Sequence, residues 1–573
     1  MLKYLKKYWI YCLLAPLFML GELTMDLLQP DMMATIVDEG VLGGNLQVIL
    51  QEGLRMMLLV LFGGTSGVLC GVFATFAALR FGNDIRKDLF ARVMDFSFEQ
   101  TDRFTTGSLI TRITNDVTQM EQLVMMLVRS LVRCSVMFVG GIIMLYRQSP
   151  RFALVAACGL PFITVFVVFF LKKVSPLYTV IQKKLDRLNS IMQENIAGAR
   201  VVKAYVKEDY ELKHFSQAND ELCDVNLRAQ TILAFMNPCV NIVLNLCVVG
   251  VLYVGGYTVS QNGGITPGQT MAAITYLSLI LMRIVFMANI FQTFTRASAS
   301  WKRIKEVLET ENVQQAGEGK QEAGRKGEIE FRHVSFAFPD TPDLPVLKDI
   351  SFRVNPGETV AIIGSTGSGK TSLVQLIPRF YDVTQGEVLV DGVNVWDYPM
   401  QALRDKIGIV QQKTELFSRS IEENIRWGKE EAKESEVSRA ARIAQAEDFI
   451  LRMPEGYEAQ VAEGGHSLSG GQKQRISIAR AVIRDPEILI FDDSGSALDL
   501  KTEAALYDAL NREFAETTKI VVAQRIASVR QADRILVLDN GEIRDSGTHE
   551  ELLEHSAVYQ EIYRSQMKRE VTA

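Results

Sequence analysis

The stretch AIIGSTGSGKTS at residues 361–372 decides how the surrounding chain folds. From Gly364 to Thr371 it matches the pattern G-x-x-x-x-G-K-[ST]. The apolar residues before it predict a strand and those after it, SLVQLIPRF, predict a helix, so backbone N–H groups and a helix N-terminus point at one place. An ordinary glycine turn before a helix is the alternative. The complete pattern in this context favours a phosphate-binding loop.

Each residue type in this loop has a physical use. Gly367 and Gly369 let the backbone approach phosphate oxygens without a Cβ clash. Lys370 places a cation on the β- and γ-phosphates, and the Thr371 hydroxyl can bind Mg²⁺. The predicted nucleotide-contacting residues of the loop are Gly364, Ser365, Thr366, Gly367, Ser368, Gly369, Lys370, Thr371 and Ser372.

Length and composition predict a membrane domain followed by a soluble one. The 573 residues exceed the size of one domain. Mean hydropathy is +0.10 although 22% of residues are charged, because the first 300 or so residues contain the long apolar runs. The net charge of −6 gives no indication of nucleic-acid binding.

Six apolar stretches are long enough to cross a bilayer, which takes about 20 residues. They lie near 9–33, 52–80, 120–146, 152–171, 232–257 and 268–293. Lys and Arg cluster before the first span and after the second, fourth and sixth, which predicts a cell-membrane protein with both termini cytoplasmic. Arg147 and Arg151, in the loop after the third span, are the exception.

The chain is predicted to comprise a transmembrane domain at 1–310, a polar, glycine-rich linker at 311–327 and a soluble α/β domain at 328–573. Charged helical sequence at 81–122 and 172–230 should project the membrane helices into the cytoplasm. We expect the chain to reverse direction at Gly107 and near Glu208–Tyr210.

The first span contains two carboxylates on one helical face, Glu22 and Asp26. Carboxylates at membrane depth are costly and usually face a cavity or a partner. Two interpretations stay open: Asp26 contributes to substrate passage, or both acids pair with cations elsewhere.

The seven cysteines are scattered, without C-x-x-C spacing. Neither a disulfide framework nor a metal site is therefore predicted. Since most of them lie in apolar runs, we expect buried, small hydrophobic side chains.

Two further motifs follow the phosphate loop. PEILIFDD (486–493) is an apolar strand that ends in carboxylates, which places Asp492 beside the loop, where it can hold Mg²⁺ through water. LSGGQ (468–472) precedes an apolar-periodic helix and offers a hydroxyl, glycine amides and a helix N-terminus to a phosphate.

With these motifs, Gln412 in VQQKTELF and SALD (496–499), the second half resembles an ATP-binding-cassette (ABC) ATPase. The first half, with ENIAGARVVKAYVKEDY and ITPGQTMAAITYL, resembles the six-helix domain of ABC exporters. The match covers nearly the whole chain and is similar to one subunit of the heterodimeric bacterial multidrug exporters.

The resemblance implies a role for each matching position. Phe338 would stack on adenine, and Thr371, Gln412 and Asp492 would hold Mg²⁺. In this family the LSGGQ segment binds the γ-phosphate of ATP on a facing subunit, so two ATPs lie between two such domains and a second half-transporter is required. The remaining implied nucleotide contacts are Ser469, Gly470, Gly471, Gln472 and Asp499.

Two positions depart from the family pattern. The residue after Asp492 is normally Glu, which polarises the attacking water, but here it is Asp493. The switch position in IVVAQRIAS is normally His, but here it is Gln524. Either these catalytic positions work with relaxed geometry, or the site binds ATP and hydrolyses it poorly. Both changes in one site favour the second interpretation.

The sequence therefore predicts ATP-driven export of a small amphipathic substrate, a drug or a lipid, by a heterodimer in contact with membrane lipids. A lipid or peptide exporter of the same architecture is one alternative, and an ATP-gated channel or regulatory module is another. A soluble ABC ATPase acting on nucleic acid is disfavoured by the six spans and the acidic charge.

Overall fold

The computed structural model describes the chain except for residues 261–263, 313, 315, 316, 318, 320–325, 496 and 571–573, together with the side chains of 281, 282, 284–289, 291, 292 and 567–570. The described chain forms two compact units. The first contains Met1–Met94 and Thr106–Thr310, and the second contains Asp95–Thr105 and Glu311–Ala573. Much of the predicted linker, 311–327, lies outside the described residues.

The N-terminal half of the chain is helical. In chain order its helices are α1 (Leu2–Lys6), α2 (Trp9–Thr35), α3 (Leu46–Met94), α4 (Phe98–Phe104, in the second unit), α5 (Thr106–Thr111), α6 (Val117–Met125), α7 (Val132–Gln148), α8 (Pro150–Ala197), α9 (Ala199–Ala204), α10 (Glu208–Ser260) and α11 (Pro267–Glu309). Short π-helical segments join α2 to the turn before α3, α5 to α6, and α6 to α7.

The predicted class of helical membrane domain is confirmed. Among the described residues, five helical stretches are long and apolar enough to cross a membrane, and they contain the first five predicted spans. The backbone of α11 covers the sixth, 268–293. Large apolar side chains such as Leu58 and Phe62 are exposed on these helices, as lipid contact requires.

The long helices run well past membrane thickness. At about 1.5 Å per residue, the 49 residues of α3 extend about 70 Å. The first reversal lies at Asp95–Thr105, where Thr105 has a φ of 43°. Gly107 lies inside α5, so its assignment to the reversal is wrong. The second reversal, with Val206 at a φ of 50°, comes just before the position expected from sequence.

All seven cysteines are free, in keeping with the absence of a disulfide framework. Only Cys70, Cys134 and Cys247 are buried as expected. Cys158 and Cys223 are exposed, so the expectation of burial is wrong for them. Cys158 lies in an apolar stretch that is long enough to cross a membrane.

Within its described residues, the second unit contains ten strands and ten further α-helices. The strands are β1 (Ile329–Phe336), β2 (Leu347–Val354), β3 (Thr359–Gly364), β4 (Gln385–Val390), β5 (Val393–Asn394), β6 (Ile407–Val410), β7 (Ile488–Asp492), β8 (Thr518–Val522), β9 (Arg534–Asp539) and β10 (Glu542–Gly547). The helices are α12 (Lys370–Gln375), α13 (Met400–Asp405), α14 (Ile421–Arg426), α15 (Glu434–Ile443), α16 (Glu447–Leu451), α17 (Gly470–Val482), α18 (Leu500–Glu513), α19 (Ile526–Val529), α20 (His549–His555) and α21 (Ala557–Glu570).

The strands form two sheets. The smaller is antiparallel with the order β2-β1-β4-β5, and the larger has the order β10-β9-β3-β8-β7-β6. Strands β9, β3, β8, β7 and β6 are parallel. Alternate residues of β3 enter two different hydrophobic clusters, with Ile363 in one and Ile362 in the other. Burial on both faces explains why β3 reads as a continuous apolar run.

The reversal segment 95–105 is held within the second unit by a few specific contacts. The Phe98 ring stacks on Phe380 with centroids 4.1 Å apart. The Tyr381 hydroxyl donates to Asp102 Oδ2 at 2.6 Å. Ser97 caps α4 in a capping box with Gln100. The ring stack of half-buried Phe98 and the buried Phe104 ring are the apolar anchors of this seven-residue helix, which is too short to be stable alone.

Replacing Phe98 with Ala should loosen this segment, because the ring stack and its buried area are lost. We expect a local loss of about 1–3 kcal/mol. Hydrogen exchange should show faster exchange in 95–105, while β3 stays protected. Glu99→Gln, which leaves the ring stack intact, is the control, and equal protection in the two variants would contradict this account.

Candidate nucleotide site

The phosphate loop connects the end of β3 to the start of α12. Gly367 and Gly369 have φ values of 84° and 100°, in the left-handed region that favours glycine. A Cβ on Gly369 would lie 2.8 Å from Leu347 Cδ2 and 3.1 Å from the Val346 carbonyl oxygen, whereas one on Gly367 meets nothing within 4 Å. Helix α12 ends at Gln375, earlier than the sequence predicts, and turns follow it.

Lys370 is folded over its own loop. Its Nζ donates to the carbonyl oxygens of Gly364 at 2.9 Å and Ser365 at 2.8 Å. Burial lowers the pKa of Lys370, and the charges of Asp493 and Asp492 oppose that shift. The Lys370 ammonium group therefore lies next to Gly364 and Ser365 of the loop that the sequence predicts to bind the nucleotide phosphates.

The residues present fit a magnesium–triphosphate group. Thr371 Oγ1 donates to Asp492 Oδ1 at 3.0 Å, which brings together two of the oxygen ligands that Mg²⁺ prefers. Burial raises the pKa of Asp492, partly offset by the Thr371 hydrogen bond. The buried Ser368 hydroxyl has no hydrogen-bond partner within the described part of the chain, so it is available to a ligand oxygen.

Asp493 receives two side-chain amides on one oxygen. Its Oδ2 accepts from Gln524 Nε2 at 2.8 Å and from Gln412 Nε2 at 3.2 Å. Burial raises the pKa of Asp493, opposed by these hydrogen bonds and by the Lys370 and Arg525 charges. Asp493 and Gln524, the two positions that the sequence analysis predicts to depart from the family pattern, are therefore direct hydrogen-bond partners.

The parallel sheet explains why these residues meet. Asp492 ends β7, Gln412 follows β6 by two residues, and Gln524 follows β8 by two residues. The phosphate loop follows β3, which neighbours β8. Since the carboxyl ends of parallel strands meet at one edge of a sheet, four separate stretches of sequence form one site.

Phe338, the predicted adenine-stacking residue, belongs to an aromatic group. Its ring lies edge-on to Phe336, with centroids 5.0 Å apart, and to Tyr381 at 5.4 Å. Tyr381 is not predicted from the sequence as part of this group, because the only indication is its position directly after the predicted helix SLVQLIPRF. The contact of Phe338 with adenine stays a prediction.

The LSGGQ segment forms a helix cap. Ser469 and Gln472 make a capping box at the start of α17, and Gly471 packs against Ala497. Asp499 caps α18 by accepting from the Thr502 N–H at 3.0 Å, which lowers the pKa of Asp499. Among the described residues, no hydrogen bond or ion pair joins 469–472 or Asp499 to the phosphate loop. In the described part of the chain, these predicted nucleotide contacts are therefore hydrogen-bonded locally and not to the loop.

In the first unit, both carboxylates of the first span meet one cation. Arg133 Nη2 lies 2.9 Å from Glu22 Oε1 and 3.4 Å from Asp26 Oδ2. This favours the ion-pair alternative for both acids, and a substrate role for Asp26 stays a prediction. Sequence reasoning did not name Arg133, although an arginine inside the third predicted span was a usable signal.

Comparison with known proteins matches both halves of the chain. The family model of the ABC transporter transmembrane region matches residues 14–285, and that of the ABC transporter matches 347–496. The uncharacterized ABC transporter ATP-binding protein YfiB of Bacillus subtilis is 40% identical over 99% of this chain and 98% of its own length. The ATP-dependent lipid A-core flippase of Syntrophus aciditrophicus is 33% identical over 93% of this chain and 88% of its own length. The structure of a bacterial Atm1-family ABC exporter with ATP bound is similar, with a TM-score of 0.79, 26% identity and coverage of 98% and 99% of the two chains.

The two loop glycines should respond differently to substitution by alanine. Gly369→Ala should lower thermal stability and abolish nucleotide binding, because its Cβ meets Val346 and Leu347. Gly367→Ala should cost only about 1 kcal/mol of stability, since its surroundings are open, yet still weaken binding where the backbone approaches phosphate. Thermal unfolding and fluorescent-nucleotide titration measure both effects, and equal destabilisation by the two variants would contradict the loop geometry.

Proposed function

We propose that this chain, which belongs to the ABC transporter family of membrane exporters, is one half of a heterodimer whose own nucleotide site holds ATP and hydrolyses it slowly. The observation that carries the proposal is the hydrogen bond from Gln524 to Asp493. ATP is the nucleotide of the family's ATPase domain, normally with Mg²⁺, and Thr371, Gln412 and Asp492 are the proposed metal ligands.

The carboxylate is poorly placed to activate water. Asp493 is one methylene shorter than the usual Glu, which retracts the carboxylate by roughly 1 Å, and such a misplacement can cost about 10²-fold in rate. Its Oδ2 lone pairs also point to the amides of Gln412 and Gln524. A base must present a lone pair to the proton it removes, so these donors compete with an attacking water.

Gln524 can hold a phosphate but cannot exchange a proton. A side-chain amide donates hydrogen bonds from its NH₂ group and does not titrate near neutral pH. The usual His can carry a proton and a charge. The pair of residues therefore supports retention of ATP better than its turnover.

The second site of the transporter would need a different partner. Ser469, Gly470, Gly471 and Gln472 of this chain are intact and would complete a site whose phosphate loop, Glu and His come from the partner chain. Two copies of this chain would form two poor sites. A heterodimer with one retaining and one hydrolysing site follows.

The proposed cycle couples ATP binding to export. Binding of two ATPs closes the ATPase domains, and the long helices convert an inward-facing cavity to an outward-facing one. Hydrolysis at the competent site reopens the dimer. The chain would lie in the cell membrane with the termini and the ATPase domain in the cytoplasm.

The proposed substrates are amphipathic drugs or lipids. The similarity to a lipid A-core flippase supports a lipid-like substrate. The described spans also offer Asp26, paired with Arg133, as a polar group at membrane depth that could contact a substrate headgroup.

Restoring the usual residues should restore turnover. The double variant Asp493→Glu with Gln524→His should raise ATP hydrolysis by the purified full chain by about tenfold or more, because it returns a longer base and a titratable switch. Asp493→Asn should change the low basal rate little. Lys370→Ala should prevent nucleotide binding and so gives the background rate of ATP hydrolysis. If Asp493→Asn lowers the hydrolysis rate as far as Lys370→Ala does, the proposal is wrong.

The mixed dimer should depend on the partner's glutamate rather than on Asp493. The partner to co-express is a second half-transporter with Glu after its strand-end Asp, to be sought in the neighbouring reading frame. Replacing the partner's Glu by Gln should abolish steady-state hydrolysis, whereas Asp493→Asn should retain most of it. A homodimer that turns over ATP as fast as the mixed dimer would contradict the heterodimer.

A further inference from the structure

A residue near the C-terminus binds the backbone of the switch segment. Gln566, on α21, accepts a hydrogen bond from the Ile526 N–H at 2.9 Å and donates from its Nε2 to the Gln524 carbonyl oxygen at 2.7 Å. One side-chain amide thus pairs with a carbonyl and an N–H on the two sides of Arg525. Glutamine suits this task because its amide carries a donor and an acceptor side by side.

The helix that carries Gln566 is anchored to the domain core. Tyr559 is fully buried, and its hydroxyl lies 2.7 Å from His549 Nδ1. Ser556, just before α21, donates to Asp545 Oδ2 at 2.5 Å. Tyr559 and Gln566 are seven residues apart and so lie on one helical face. Gln566 therefore extends from a fixed support.

The switch segment is anchored on both sides of Gln524 and Arg525. Ala523 is tied to β3 by a hydrogen bond from its N–H to the Ile362 carbonyl oxygen at 3.2 Å, and Ile526 is buried. Between them, Gln524 and Arg525 are exposed. They border a cleft of about 1030 Å³ that reaches from Asp493 to Gln566. The Arg525 carbonyl oxygen accepts a hydrogen bond from the Ser528 N–H at 3.3 Å. The two Gln566 hydrogen bonds add a direct restraint on the Gln524 carbonyl oxygen and the Ile526 N–H.

We propose that Gln566 is a positioning residue of the nucleotide site, which fixes the Gln524–Ile526 backbone and so directs the Gln524 amide to Asp493. The C-terminal helix then controls how firmly this site retains ATP. The inference rests on the proposed function in one respect, namely that Gln524 acts on the terminal phosphate of the bound nucleotide.

The test uses the purified full chain and three variants. Gln566→Leu removes both hydrogen bonds at similar volume, and Gln566→Glu keeps the acceptor and loses the donor. Gln560→Leu is the matched control, because Gln560 lies on the same helix and donates to the carbonyl oxygens of Leu553 and Glu554, away from the switch. The probes are fluorescent ATP and ADP analogues, with dissociation followed by stopped-flow chase.

Gln566→Leu should speed ATP release about three- to tenfold, since two hydrogen bonds that hold the switch are lost. ADP release should stay within twofold, because ADP lacks the terminal phosphate. Gln566→Glu should fall between Gln566→Leu and the unchanged chain. Faster release of both ATP and ADP from Gln566→Leu would show that the substitution only loosens the fold, and would overturn the proposal. Equally fast ATP release from the control Gln560→Leu would also overturn it.

A double-mutant cycle tests whether Gln566 acts through Gln524. In a Gln524→Ala background, Gln566→Leu should have no further effect on ATP release, because the side chain that it positions is already gone. Additive effects of the two substitutions would contradict the proposal.

The two proposals can fail separately. Fast hydrolysis by the unchanged chain would refute the ATP-retaining site, whatever Gln566 does. Slow hydrolysis together with unchanged ATP release in Gln566→Leu would refute only the positioning role.

Discussion

The parallel pairing of β3, β8, β7 and β6 is the constraint on which the nucleotide site depends. These strands are largely buried on both faces, and the site residues Asp492, Gln412 and Gln524 lie at or just beyond their carboxyl ends. Parallel pairing brings those ends to one edge, although the chain between β6 and β7 passes through four α-helices and two short 3-10 helices. Asp493 lies at that edge with its N–H bonded to the Val522 carbonyl oxygen at 2.9 Å, so its backbone is fixed by the same sheet.

Much of this arrangement could be predicted from sequence, because it follows from local patterns. The glycine-rich turn, the apolar strand that ends at Asp492 and the long apolar spans each appear in a single window of residues. The family resemblance then identified Asp493 and Gln524 as unusual. The expected reversal at Gly107 was wrong because glycine is tolerated in a helix, while the chain turned instead at Thr105.

What could not be predicted depends on contacts between distant residues. Gln566 is 42 positions from Gln524, and nothing in the sequence around it distinguishes it from other glutamines. Arg133 is 107 positions from Asp26, and Tyr381 is 279 positions from Asp102. Such side-chain pairs are set by tertiary packing, which a pattern along the chain does not encode.

Asp493 and Gln524 are best understood together, because their side chains are direct hydrogen-bond partners. Asp493 has a φ of 51°, in a region that Asp enters more readily than most residues, so the shorter acid suits this strand end. Its Oδ2 lies 2.8 Å from the Gln524 amide. A Glu side chain in the same direction would bring its carboxylate about one methylene further, into the space that the amide occupies. The amide and the short carboxylate therefore fit each other, and a longer acid would require the switch segment to move. Because the backbone of Gln524 and Ile526 is hydrogen-bonded to Gln566, Asp493, Gln524 and the C-terminal helix form one hydrogen-bonded series.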